Sequence, residues 1–281
     1  MLNSILVVTV THNTAETLRH FLDSLIAPDG SRPRVIVVDN ASADLTAERD
    51  AAQSYGARLI EEPENLGYGA GVSAGVQASE EDFDFLVVAN PDVTFTPGAL
   101  EALAAAAAEI DDAGALGPKI LDSDGRVYPS ARQLPSLRTG IGHAMLGNVW
   151  AGNPWSRRYR SDRSDGSGLR EAGWLSGACL LIRRSAYEAV GGFDPSYFMY
   201  FEDVDFGARI SQAGWRNIYV PAAIVTHTGA HSTSRDARRM ERAHHQSAYR
   251  YLSRRYSAWY LLPLRGVLRL ALAARFWWVT R

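Results

Sequence analysis

Cysteine occurs once in 281 residues, at Cys179. A lone thiol excludes an internal disulfide and leaves no partner for a zinc site, which suits a reducing compartment. Lysine is equally scarce, with Lys119 alone among 29 basic residues. Also lacking is a long apolar run free of charge. The apolar stretch from Trp259 to Arg281 is interrupted by Arg265, Arg269 and Arg275 and broken by Pro263, which excludes a comfortable transmembrane span. The opening MLNSILVVTVTHN has no basic segment ahead of its apolar run and no small-residue cleavage site, so it reads as a first β-strand and not as a signal peptide. No internal repeat is visible.

With 46% hydrophobic and 21% charged residues, the chain can bury a sizeable core. The net charge of −2 hides an asymmetry: residues 235–281 hold eleven arginines against Asp236 and Glu241, so this tail carries +9 and residues 1–234 carry −11. A basic tail on an acidic body points to an anionic partner. On a helical wheel the three late arginines share about a third of the circumference, taking about 100° per residue, with Val267, Leu270, Ala274 and Trp277 opposite. Leu272 and Phe276 depart from that pattern by falling on the arginine side. The sequence reads here as an interfacial helix with aromatic anchors on an anionic membrane surface. The alternative is a helix packed on the body or on a second subunit of a homodimer.

Apolar runs at Ile5 to Val10, Val35 to Val38 and Phe83 to Ala89 predict buried strands, with a shorter one at Arg58 to Glu61. Helical spacing of Leu18, Phe21, Leu22 and Leu25 predicts a helix capped by Asn13 or Thr14, and Thr46 to Tyr55 predicts another. Thr96 with Pro97 behind it predicts the start of an alanine-rich third. Ala172 to Ile182 reads as a strand region, and the Gly-, Ser- and Arg-rich stretch 150–170 as a loop. Alternating strands and helices imply an α/β fold on a parallel sheet, whose ligands sit at the carboxyl ends of the strands.

Polar groups cluster at those ends. Asp39, closing a strand in Val-Val-Asp-Asn-Ala-Ser, suits a nucleobase or ribose contact or, equally, an Asx-turn. Asn65-Leu66-Gly67-Tyr68-Gly69 lets backbone approach a phosphate, or is an ordinary turn. Asn90-Pro91-Asp92 places a carboxylate where Mg²⁺ or Mn²⁺ can bridge it to a diphosphate. The sharpest segment runs from Gly191 to Asp205. It sets Glu202, Asp203 and Asp205 among aromatic residues, where burial raises a carboxylate's pKa and makes it a better base. His227, taken alone, reads more readily as structural than as a metal ligand.

In this order, Thr11-His12-Asn13, Asp39-Asn40-Ala41-Ser42, Asn65-Leu66-Gly67-Tyr68, Asn90-Pro91-Asp92, Ser176-Gly177-Ala178, the Gly191 to Asp205 block and His227 resemble glycosyltransferase family 2 from about residue 4 to residue 230. The resemblance implies a GT-A fold over 1–234, a Rossmann-like nucleotide-binding half joined to an acceptor half. Residues 235–281 then form a basic helical extension that associates with a membrane. It implies an inverting, metal-dependent transferase at the cytoplasmic, inner face of the plasma membrane. Within the family the Asn-Pro-Asp form and Phe198-Met199-Tyr200-Phe201-Glu202-Asp203 look most like bacterial rhamnosyltransferases. These use dTDP-L-rhamnose and polyprenyl-diphosphate-linked sugars such as the GlcNAc derivative to build cell-wall or surface polysaccharide.

Carried over residue by residue, Asp203 matches the catalytic base, with Glu202 beside it. Asp92 matches the last acid of the metal motif, whose first acid is Asn90 here, and His227 completes the metal site. Asp39 reads the base, and Thr11, Asn13, Asn65, Gly67, Asn90 and Arg209 line the donor. Trp174, Ser176, Gly177 and Tyr200 face the acceptor, and Ser73 stands where many relatives carry Asn. No nucleic acid is expected as a partner. Two rivals remain. A sugar-nucleotide pyrophosphorylase usually has a glycine- and lysine-bearing loop after its first strand, which Thr11-His12-Asn13 is not. A non-catalytic nucleotide-sugar or nucleic-acid binder has no use for acids at both Asp92 and Asp203. A UDP-hexose is the alternative donor.

Overall fold

The structure is a computed structural model that describes residues 2–136, 168–229 and 237–279. Its first half alternates β1 (Ile5–Thr11), α1 (Ala15–Ser24), β2 (Arg34–Asn40), α2 (Thr46–Tyr55), β3 (Arg58–Glu62), α3 (Tyr68–Gln77), β4 (Phe85–Ala89), β5 (Val93–Phe95) and α4 (Ala99–Glu109). There follow β6 (Ala113–Leu121), β7 (Val127–Tyr128), β8 (Ala131–Arg132), β9 (Arg170–Ala172), β10 (Trp174–Leu175) and β11 (Cys179–Arg183). Helices α5 (Arg184–Ala189) and α6 (Glu202–Gln212) precede β12 (Arg216–His227). Helices α7 (Ala237–Arg255) and α8 (Leu262–Val279) come last, joined through a 3-10 turn at Trp259–Leu261.

One ten-stranded sheet runs in the order β3-β2-β1-β4-β11-β6-β12-β5, with β7 beside β6 and β9 beside β12. Strands β3, β2, β1 and β4 are mutually parallel, and β11 enters antiparallel between β4 and β6. Every residue of β1 is buried, as a strand covered on both faces must be. Leu18 and Phe21 of α1, Ala51 of α2 and Leu103 of α4 pack on one face. Val72 of α3, Phe206 of α6 and Phe193 pack on the other. The chain leaves β1 in one lateral direction for β2 and returns to place β4 on its opposite side. That reversal opens a crevice at the carboxyl ends of β1, β2 and β4, where ligands bind in open α/β sheets.

Three expectations need adjusting. The helix after Thr96 begins at Ala99 behind a left-handed Gly98. Thr96 does not cap it; its hydroxyl donates to the Ile224 carbonyl at 2.8 Å and ties the loop to β12. The single strand region from Ala172 to Ile182 is three strands, broken at Gly173 and at Ser176–Ala178. The loop assigned to 150–170 falls, up to residue 167, outside the described residues.

The basic tail forms the two helices α7 and α8, and both are packed. Ser247 donates to the Met199 carbonyl at 2.9 Å, His244 meets the rings of Tyr200 and Phe201 edge-on, and Arg254 pairs with Asp194. Helix α7 therefore lies on the segment that carries the sequence's densest acids. Helix α8 folds back on α7, with Phe276 against His245 and Arg242. Leu272 and Phe276, anomalous on a single-helix wheel, line the hollow between the two helices. Val267, Leu270, Trp277 and Trp278 stay exposed on the outside. No helix among the described residues is long and apolar enough to cross a membrane.

Candidate active site

The crevice is built from three strand ends. At the first two, Thr11 lies opposite Asp39 in the parallel register and donates to its Oδ1 at 3.1 Å. The Ser42 amide donates to Asp39 Oδ2 at 2.7 Å, and the Ser42 hydroxyl donates to Oδ1. Asn13, at a left-handed φ of 54°, joins the loops a second time: its amide donates to Ser42 Oγ at 2.7 Å and its Oδ1 accepts from the Ala43 amide. Asp39 is fully buried. Three of a carboxylate's roughly four acceptor positions thus go to the chain itself, and the residue organises the loop pair. Beneath them Glu48 is also fully buried, and its carboxyl is pushed upward by burial first and by Asp39 and Asp44 after that. Sequence reasoning passed over Glu48, which sits on α2 like any helical acid.

The Asn65–Gly67 turn is held by its own hydrogen bond and packs against a distant segment. Asn65 Oδ1 accepts from the Gly67 amide at 3.0 Å, and Gly67 holds φ 93°. A Cβ there meets the Phe198 carbonyl oxygen at 2.1 Å. The glycine exists so that this loop can touch the acceptor-side segment, and the Tyr68 amide donates to that same carbonyl at 3.0 Å. Tyr68 then reaches across to donate from its hydroxyl to the Gly177 carbonyl at 2.8 Å. Burial and the nearby Glu202 hold its phenol well above the usual range, so it stays a neutral donor.

At the third strand end Asn90, Asp92 and His227 converge. Antiparallel pairing of β5 with β12 sets His227 opposite Val93. His227 Nε2 lies 3.1 Å from Asp92 Oδ1 and 3.3 Å from the Asn90 amide nitrogen. Two ligands at right angles on an octahedral cation with bonds of about 2.1 Å stand about 3 Å apart. Asp92 and His227 have that spacing without rearrangement, and turning the Asn90 amide over presents an oxygen beside them. The donor set therefore fits Mg²⁺ or Mn²⁺.

On the acceptor side, Phe201 takes a left-handed conformation directly after an equally left-handed Tyr200, and α6 starts at Glu202. Two such non-glycine residues in a row store strain, which persists at sites held by their surroundings. The break between β10 and β11 frees the Gly177 amide, which donates to Asp203 Oδ2 at 2.9 Å; the Val204 amide donates to Oδ1 at 2.8 Å. Burial raises the Asp203 carboxyl, while these amides and the Arg132 charge oppose the rise. Glu202 is buried beside it with Oε2 lacking a partner, and burial, then the Asp203 charge, push it up to about 8. Both carboxyls are thus raised by burial, and the charge of Asp203 keeps Glu202 the neutral member of the pair. Arg132, on two-residue β8, gave no sequence signal.

Trp174 donates from its indole to the Gln133 carbonyl at 3.1 Å, and Ser176 is buried against Ser130. Arg209 donates to Asp205 Oδ2 and to the Val190 carbonyl, both at 2.7 Å, and so braces the acceptor segment. Ser73 donates to the Gly69 carbonyl at 3.0 Å.

An open α/β sheet with a polar loop pair at its switch point, a carboxylate–imidazole pair beside it and a strained helix start bearing Glu202 and Asp203 has the plan of a GT-A glycosyltransferase. The Glycosyl transferase family 2 profile matches residues 6–191, two-thirds of the sequence, and the chain belongs to that family. A second profile, Glycosyl transferase family group 2, matches residues 143–280. N-acetylglucosaminyl-diphospho-decaprenol L-rhamnosyltransferase of Mycobacterium tuberculosis is 47% identical over 96% of this chain and 90% of that one. Rhamnosyltransferase WbbL of Escherichia coli is 28% identical over 89% of this chain and 92% of its own length. Among solved structures, the mannosyltransferase PcManGT of Pyrobaculum calidifontis, in complex with GDP-Man and Mn²⁺, aligns with a TM-score of 0.61. It is 17% identical over 96% of this chain and 73% of that one. GalNAc-T7 with UDP, GalNAc and Mn²⁺ aligns at 0.59 and 18% identity over 81% of this chain and 44% of its own. At such identity the last two bear on the fold alone.

Proposed function

We propose that this glycosyltransferase moves L-rhamnose from dTDP-L-rhamnose to a polyprenyl-diphosphate-linked N-acetylglucosamine, inverting the anomeric carbon, in cell-wall or surface polysaccharide synthesis. The observation that carries the chemistry is Asp203, a raised carboxylate steadied by the Gly177 amide at the junction of donor and acceptor halves. Support for the sugar and the acceptor comes from the likeness to the M. tuberculosis relative along nearly the whole chain.

In this reading the acceptor hydroxyl oxygen attacks the anomeric carbon while Asp203 takes its proton. The bond to the diphosphate oxygen breaks on the opposite face, and the nucleoside diphosphate leaves with the electron pair. One base suffices because the leaving group is already anionic, unlike the paired acids of glycoside hydrolysis. Thr11, Asn13 and Asp39 shape the loops that hold the nucleotide, and Asn65 and Gly67 fix those loops against the acceptor half. Trp174, Ser176, Gly177 and Tyr200 shape the acceptor side. Asp92 and His227, with Asn90, hold Mg²⁺ or Mn²⁺. Such a cation, when bound, offsets charge developing on the diphosphate.

Helix α8 completes the proposal. Trp259, Tyr260, Leu270, Trp277 and Trp278 are exposed beside arginines, a surface that suits the headgroup level of an anionic membrane. We place the protein peripherally on the inner face of the plasma membrane, where a lipid-linked acceptor and a nucleotide sugar meet.

A donor panel tests this: dTDP-rhamnose, UDP-glucose and UDP-galactose, each with Mn²⁺ or Mg²⁺, an EDTA control and a short polyprenyl-diphospho-GlcNAc acceptor. Rhamnose transfer abolished by EDTA is the expected result. Thymine and uracil share the N3–H donor, so transfer from a UDP-hexose alone keeps the class and discards rhamnose.

A further inference from the structure

Helices α7 and α8 do not close on each other along their length. Between them runs a groove of about 860 Å³, lined by Arg242, Tyr249, Arg250, Arg269, Leu272 and Phe276 among others. It continues past Arg254 toward Arg265 in a second hollow of about 560 Å³. Among the described residues no acidic side chain lines either.

Among the described residues, Arg242, Arg250 and Arg269 enter no ion pair. Each lies over an aromatic ring instead: Phe276 at 5.7 Å, Tyr197 at 5.9 Å and Tyr249 at 6.0 Å. Ring contact leaves the N–H edges of a guanidinium available for an anion. Arg250 and Arg254 also stand four residues apart on one helix, a spacing at which like charges repel. Arg254 is met by Asp194, whereas Arg242, Arg250 and Arg269 have no carboxylate paired with them among the described residues. Their planar forks suit phosphate oxygens.

The groove's position narrows the ligand. Arg254 pairs with Asp194, and Arg250 covers Tyr197, in the same segment that leads into Asp203. Its α8 wall sets Leu272, Ala273 and Phe276 beside Arg269. Beyond them lie the exposed Val267, Leu270 and Trp277. Guanidinium groups therefore adjoin the Asp194–Tyr197 segment on one side and exposed apolar side chains on the other. We propose that this groove holds the diphosphate of the lipid-linked acceptor, with its sugar toward Asp203 and its hydrocarbon leaving along α8. The inference rests on the reading of the acceptor as a polyprenyl-diphosphate sugar.

The test is equilibrium binding to the full chain, by calorimetry, without donor, with phosphatidylglycerol vesicles as a separate probe. Farnesyl-diphospho-GlcNAc is compared with farnesyl-GlcNAc, the same ligand lacking phosphates, for the wild type, Arg242→Ala, Arg250→Ala and Arg269→Ala. Arg126→Ala, an exposed arginine on another part of the surface, is the control. The expected result is at least tenfold tighter binding of the diphosphate ligand by the wild type. Each groove variant loses that preference while keeping its affinity for farnesyl-GlcNAc, and R126A behaves as wild type. Equal weakening for both ligands, which includes misfolding, overturns the proposal, as does an unchanged preference. Loss of binding to phosphatidylglycerol vesicles with the diphosphate preference intact also overturns it and assigns the groove to lipid headgroups. Because no donor is present, a failure of rhamnose transfer leaves this result standing, and the two claims fall separately.

Discussion

The amide of Gly177 donates to Oδ2 of Asp203 at 2.9 Å, joining the break between two strands to the first turn of a helix 26 residues later. One carboxylate oxygen is thereby fixed while lone pairs remain on both. A Cβ at position 177 comes within 3.3 Å of the Asp203 Cβ, so the glycine also keeps the approach close. This contact fixes where the Asp203 carboxylate sits.

Glu202 is expected to be protonated at pH 7, since it is pushed up to about 8 by burial and by the charge of Asp203. Glu202→Gln copies that neutral form, and turnover at pH 7 should stay within about threefold of wild type, well inside the 100-fold floor of general-base loss. Its folded pKa lies above the unfolded value of about 4.3, so ionisation costs stability as pH rises from there toward 8. Urea midpoints measured at pH 5 and pH 8 should therefore show the Gln variant gaining on the wild type at the higher pH. A Gln variant that loses turnover like an Asp203 variant shows that both acids take part in proton transfer.

The pair Asp92 and His227 should govern metal dependence. Asp92→Ala is expected to weaken donor binding and to raise the Mn²⁺ concentration for half activity together. Asn90→Asp adds a second carboxylate beside His227 Nε2, and its metal requirement should fall at least several-fold. Titrating activity with Mn²⁺ after EDTA treatment checks both. An unchanged requirement in both variants removes these residues from the metal site.

Much of the donor half was legible in the sequence, because strands buried on both faces must be continuous apolar runs. The sheet ends Thr11, Asp39 and Asn90 lie where those runs stop. Other features depend on contacts between distant segments. The packing of Gly67 against the Phe198 backbone, 131 residues away, has no local sequence signal. Glu48 and Arg132 matter through burial and charge that no local pattern announces. The tail read as an interfacial helix or as one packed on the body, and the pairing of α8 with α7 accounts for Leu272 and Phe276. Thr96 looked like a cap because its hydroxyl suits one; β12 takes it instead.

Gly67→Ala follows from that contact. A methyl group 2.1 Å from the Phe198 carbonyl oxygen, at a φ of 93°, requires the loop to move. Overpacking together with left-handed backbone strain should destabilise the chain by roughly 2–4 kcal/mol. Denaturant unfolding checks the value, and a loss below 0.5 kcal/mol contradicts the packing described.

Asp194 supplies an acid-range signature. Burial alone raises its carboxyl, but hydrogen bonds from Arg254 and Ser196 overcome this and hold it at about 2. The stabilisation is present above the unfolded pKa of about 3.9 and is lost as pH falls from there toward 2. Thermal midpoints between pH 5 and pH 2.5 should fall more steeply for the wild type than for Arg254→Ala. Parallel curves show that α7 is not anchored to the acceptor segment by this pair.

The central claim, that Asp203 removes the acceptor proton in rhamnosyl transfer, is tested most directly by Asp203→Asn. The variant keeps shape but not basicity, and its single amide oxygen accepts from one of the Gly177 and Val204 amides in place of both. With dTDP-rhamnose, Mn²⁺ and polyprenyl-diphospho-GlcNAc, it should bind donor with wild-type affinity and lose roughly 100- to 10,000-fold in turnover. Turnover within tenfold of wild type at unchanged donor affinity contradicts the account and places the base elsewhere.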